Sequence, residues 1–248
     1  MNVSNPSLGE SNEYESLTEP TDIVVGLQPI EKTINGRYIH MNIDSRKRIE
    51  ERKKHQEKMN TYIQNVMSDF SSELFSWTHC SSFSLIKSFS GAKIQRNDIL
   101  DSINGKENIL LLFTTNTFFS FGVFSNSAIP LRPQQSLFNT KPQPTNSIMT
   151  ANDFVFSLDN LSGFSFRCDN SQNIENKFIT IYFEEETILE IGNFLTLYPK
   201  GKICFSQNLD NSVNDPKYVS FINLLTGSDQ QQNYVERVSI YRLTPKQN

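Results

Sequence analysis

The chain has 248 residues, 37% of them hydrophobic and 11% aromatic, so it can bury one sizeable core while part of it stays outside. A formal charge of -4, from 23 basic and 27 acidic residues, argues against general nucleic-acid binding by the whole molecule, though not against a local basic segment. No apolar run is long enough to span a bilayer, the N-terminal residues lack a signal-peptide core, and three scattered cysteines make no disulfide framework. The expectation is a soluble cytoplasmic protein with reduced thiols, a nuclear share left open.

Residues 1–43 read as a disordered or irregular tail rich in Ser, Asn, Glu, Pro and Thr, with short apolar islands at Ile23–Leu27 and Tyr38-Ile39. Residues 44–76 then carry the strongest helix signal. No Pro or Gly interrupts Asp44 to Phe75, and Asp44 or Ser45 can cap its start. Met59, Tyr62, Ile63, Val66, Met67, Phe70 and Leu74 recur at three-and-four spacing, which makes one apolar stripe over the second half. The first half is charged. Arg46, Lys47, Arg48, Arg52, Lys53 and Lys54 are the candidate partner-binding residues, interleaved with Glu50, Glu51 and Glu57. A helix of this kind is held in water by charge pairs four residues apart. Its heptad pattern is short for a coiled coil.

Beyond Trp77, in residues 77–248, short apolar runs alternate with turn signals. Phe83–Ile86 leads into Ser90-Gly91, and Asn97 to Ile103 reads as a small helix capped by Asn97. Ile109–Phe113 is a continuous apolar run, expected to be a strand buried on both faces. Phe118–Phe124 forms a hairpin with it through Asn116-Thr117. Residues 126–151 hold four of the ten prolines and read as a long loop. Further strands are expected at Phe154–Leu158, Gly163–Arg167, Phe178–Phe183, Ile188–Ile191, Leu195–Tyr198, Lys202–Phe205 and Val235–Tyr241. Many short strands without βαβ alternation predict a mainly β (α+β) fold: an antiparallel two-sheet β-sandwich with a few short helices, preceded by a long N-terminal helix.

Chemistry is thinly represented. His79-Cys80 are neighbours whose side chains diverge on a strand, Cys204 sits between Ile203 and Phe205, and nothing near Cys168 marks an activated thiol. Glu184-Glu185-Glu186 reads as a solvated turn, and no nucleotide-binding, hydrolase or zinc motif occurs. No catalytic residue, metal ligand, cofactor or small-molecule substrate is expected. The residues themselves point to a protein partner met by helix 44–75 and loop 126–151, with two alternatives: a nucleic-acid-associated regulator using the basic helix 46–58, or a thiol-based redox protein centred on Cys80 or Cys168.

From about Phe75 to Pro245 the order of elements resembles the TLDc domain of eukaryotic oxidation-resistance proteins and vacuolar proton-pump regulators. Four blocks carry it: Trp77…Leu85-Ile86…Ser90-Gly91 with its short helix; Ile109–Phe113 with Phe119-Ser120-Phe121-Gly122-Val123-Phe124; Asp153–Leu158; and the run from Ile188 through Gly201…Cys204-Phe205 to Val235–Tyr241. The chain looks like a divergent member, with Ser239, Ile240 and Tyr241 at the places of the family's closing Glu and Val-Trp pair. The resemblance implies a non-enzymatic interaction module in oxidative-stress response or proton-pump regulation, with the vacuolar proton pump as partner; the lack of a long apolar run adds the expectation of no membrane insertion.

Overall fold

The computed structural model describes residues 30–34, 37–41, 43–129, 144–148, 150–169, 177–183, 186–192, 194–206, 221–228, 230 and 232–246. These divide into two units, residues 1–56 and 57–248. In the first unit, β1 (Ile30–Ile34) pairs antiparallel with β2 (Arg37–Met41), so the Tyr38-Ile39 island lies in a strand; the Ile23–Leu27 island lies outside the described residues. Helix α1 spans Ile43–Asp69.

The helix expected to continue to Phe75 breaks at Phe70, where φ is -99° and ψ 15°, and restarts as α2 (Ser71–Thr78). Neither Pro nor Gly causes the break. Backbone hydrogen bonds cross it, from Phe70 N–H to the Val66 carbonyl (3.1 Å) and from Leu74 N–H to the Phe70 carbonyl (3.0 Å). The break therefore costs little in hydrogen bonding. His79 ends α2 in a left-handed conformation (φ 56°) and stays exposed, while Cys80 turns inward and is buried.

The strands follow as β3 (Cys80–Ser90), β4 (Ile109–Thr115), β5 (Ser120–Ser125), β6 (Thr145–Ile148), β7 (Phe154–Asp159), β8 (Phe166–Asp169), β9 (Lys177–Ile181), β10 (Leu189–Ile191), β11 (Leu195–Leu197), β12 (Lys202–Phe205) and β13 (Gln232–Pro245). Between them lie α3 (Arg96–Ile103) and α4 (Phe221–Thr226). Every described pairing is antiparallel, so the fold is mainly β as expected. One layer runs β3-β13-β4-β5-β7-β8 and the other β6-β9-β10-β11-β12. The 14-residue β13 joins them: Lys202–Cys204 of β12 pair with its first three residues, and β3 and β4 pair with the rest.

Alternation along the strands decides what each face buries. In β4, Leu111 and Phe113 enter the core between the two layers, whereas Leu110 and Leu112 face the other way, and all seven residues are buried. The continuous apolar run thus has both faces covered. Phe121 ties the layers together, its ring centroid 5.8 Å from Phe113, 6.2 Å from Phe194 and 5.7 Å from Phe205. On the outer face of the first layer, Leu110, Leu112, Phe124, Phe154, Phe156 and Leu158 pack with Met59, Ile63, Val66, Met67 and Leu74. The helical stripe is a third layer of the domain. Each such side chain contributes roughly 1.5–3 kcal/mol of burial, against the cost of ordering the helix.

Two details depart from expectation. The small helix starts at Arg96 without a side-chain cap from Gln95; its guanidinium instead donates to the carbonyls of Phe183 (2.7 Å) and Thr187 (3.2 Å), and Asn97 is left exposed. Within the expected loop 126–151, residues 145–148 form β6, because the Ser147 hydroxyl accepts the Ile179 N–H (2.9 Å) and ties a polar segment to β9; residues 130–143 lie outside the described ones. The base of that loop is held by Asp153, whose buried carboxylate accepts the N–H groups of Asn126 (2.6 Å) and Thr150 (2.7 Å). Among the described residues no helix is long and apolar enough to cross a membrane.

Candidate functional site

The candidate basic residues sit on the first half of α1. Lys47, Arg48, Arg52, Lys53 and Lys54 are all exposed, and the side chain of Arg46 lies outside the described residues. Lys54 pairs with Glu50 across one helical turn at 3.5 Å, with both side chains about 70% exposed (73% and 69%). In water such a pair contributes only tenths of a kcal/mol, so the cations keep most of their capacity for an outside partner. The basic run ends at Lys58, which lies over the Phe118 ring (5.1 Å to the centroid). Phe118 also meets the edge of Tyr62 at 5.2 Å. From this residue onward the helix packs.

The structure separates the residues considered for thiol chemistry. Cys80 is buried at the end of α2, and burial pushes its thiol above the ordinary value, only partly offset by contact with Thr78 and the charge of Lys246. An activated thiol needs the opposite shift. Cys168 and Cys204 are half-buried on β8 and β12, so Cys204 is less enclosed than its apolar neighbours suggest. Among the described residues no three His, Cys, Asp or Glu side chains are grouped to hold a metal ion. Glu184 and Glu185 lie outside the described residues, and Glu186 is exposed.

Two surface features escaped the sequence reading. The first is a groove of about 550 Å³ where α1 and α2 meet β3, lined by Met67, Phe75, Phe83, Leu85 and Tyr241. Its floor is aromatic: Phe83 lies 5.7 Å from Phe75 and 5.8 Å, edge to face, from Tyr241. Leu85 beside it is 55% exposed. The second is the turn after β7. Buried Asn160 donates to the Ser157 hydroxyl (2.8 Å) and the Phe164 carbonyl (2.9 Å), and accepts from the Ser162 N–H (2.8 Å). This fixes a turn whose Leu161 and Phe164 are exposed. Asp159-Asn160 is visible as a turn signal, but a side chain that folds back on its own loop has no sequence mark of its own.

No protein-family model matches the chain, and no curated protein matches it.

Proposed function

We propose that this chain is a non-enzymatic protein-interaction module similar to TLDc proteins, acting in the cytoplasm in oxidative-stress response or in regulation of the vacuolar proton pump. The reading rests on the resemblance of its four blocks, and one observation supports it most. The described strands of all four blocks belong to a single antiparallel sandwich, with the Phe-Gly step of β5 packed under Phe156. The contact surface is the exposed basic half of α1, a charged segment whose described cations are little engaged among the described residues. Rigid scaffolds present partner contacts in this manner. Full-length protein with Lys47, Arg48, Arg52, Lys53 and Lys54 changed to Gln should lose a partner that the parent captures in a pull-down. Capture of the same partners by both proteins would count against the reading.

The same exposed cations support a second reading, a nucleic-acid-associated regulator. Phosphate contacts would make binding fall steeply as salt rises, so a mobility-shift assay over a salt series decides it. Absence of salt-sensitive binding removes this option.

A further inference from the structure

We infer that the first half of β3 is a docking edge for an extended, acidic peptide segment of a partner protein, which adds a strand to the sheet and sets an apolar side chain into the neighbouring groove. This surface is separate from the basic half of α1 and stands whether or not that helix binds anything.

β3 is the outermost strand of its layer: one edge pairs with β13, and among the described residues no strand pairs with the other. An unpaired edge offers a row of backbone N–H and C=O groups, and proteins usually blunt it with charge, proline or a bulge. β3 carries charge only late, Lys87 being its one charged residue, and its register slips twice, at Ile86 between the pairs Ile240–Lys87 and Tyr241–Leu85 and at Ser81 between the pairs Thr244–Ser82 and Pro245–Cys80. From Cys80 to Leu85 there is no charge, no Gly and no Pro, and Ser81, Ser82, Ser84 and Leu85 are exposed.

The groove runs beside this uncharged stretch. Ser81, Ser82, Phe83 and Leu85 form one wall, with Phe75 and Met67 on the helical side. A strand edge next to an apolar groove is the arrangement by which added strands are recognised: main-chain bonds give affinity, and a pocket for alternate side chains gives selectivity. Charge selects the peptide. In a chain of net charge -4, β3, β13 and the residue after it carry Lys87, Arg237, Arg242 and Lys246 against one carboxylate, Glu236. Lys87 is partly engaged, 3.9 Å from Asp98 and above the Phe89 ring, while Arg242 and Lys246 are exposed. Acidic residues flanking an apolar anchor meet this surface with complementary charge.

The test is a random decapeptide display library selected on the full-length protein, with parallel selections on Leu85→Asp and Arg242→Glu. Both positions are exposed, so the variants should keep the parent's circular dichroism and melting temperature. Recovered peptides should alternate apolar and acidic residues, disappear on Leu85→Asp, and bind Arg242→Glu about tenfold more weakly. Peptides that bind Leu85→Asp as well as the parent, or no enrichment at all, would overturn the inference. So would concentration-dependent self-association abolished by Leu85→Asp, because that would assign the edge to a second copy of the chain.

Discussion

The Tyr62 hydroxyl donates to the Asp159 carboxylate at 2.9 Å, tying the middle of α1 to the end of β7 across 97 residues of sequence. It is a polar clasp at the margin of an otherwise apolar interface. Tyr62→Phe keeps the ring against Phe118 and removes this bond together with the hydroxyl's contact with Ser120. Stability should fall by about 0.5–1.5 kcal/mol in urea titration, with little change in the denaturant slope. A loss several times larger would mean that the bond organises the helix rather than fastening it.

The same residue and Tyr241 predict an alkaline limit. Burial raises both phenols above their ordinary 10.0, Tyr241 to about 12, the Ser239 hydroxyl drawing the latter slightly back. The folded state therefore holds its protons where the unfolded chain releases them. Stability is unaffected below pH of about 10 and declines as pH climbs toward 12, by about 2–3 kcal/mol on account of Tyr241. Tyr241→Phe should flatten that decline in melts recorded from pH 9 to 12, and an unchanged slope would contradict the burial.

Gly122 stands where β5 passes beneath Phe156. A Cβ there would collide with the Leu111 carbonyl oxygen and lie 2.9 Å from the end of the Phe156 ring. Gly122→Ala should cost at least about 3 kcal/mol, at the upper end for overpacking, since the obstacle is central-strand backbone. Chemical denaturation measures this directly. A cost near zero would mean that the strands separate more easily than their register implies.

The sandwich was legible because its strongest signals are local. Ile109–Phe113 is apolar at every position and Phe154–Leu158 nearly so, and only a central strand suits such runs. The apolar stripe of α1 was equally visible, but whether it lay open or covered depended on Leu110, Leu112, Phe154 and Phe156 being aimed at it, which is decided by sheet topology. The break at Phe70 has no residue that demands it. β6 is Thr-Asn-Ser-Ile, too polar to read as a strand until Ser147 is seen bonded to β9. The groove beside β3 joins side chains from positions 64 to 241, and no motif can mark it.

Cys80 gives a chemical check on the same interface. Its thiol is 1% exposed and raised by burial, so at pH 8 it should react with a disulfide reagent far more slowly than Cys168 or Cys204. Its reaction should accelerate only when urea unfolds the chain. Early, fast labelling at Cys80 would show that α2 opens independently of the sheet.

The central claim is that the second half of α1 is structural, a layer laid over the outer face of the first sheet. Hydrogen exchange read by mass spectrometry tests it most directly. The account predicts that the amides of Ile63, Val66 and Met67 exchange as slowly as those of Leu110 and Leu112 in β4, being released by the same opening. Exchange in that helical stretch close to the rate of an isolated peptide, with β4 still protected, would contradict it.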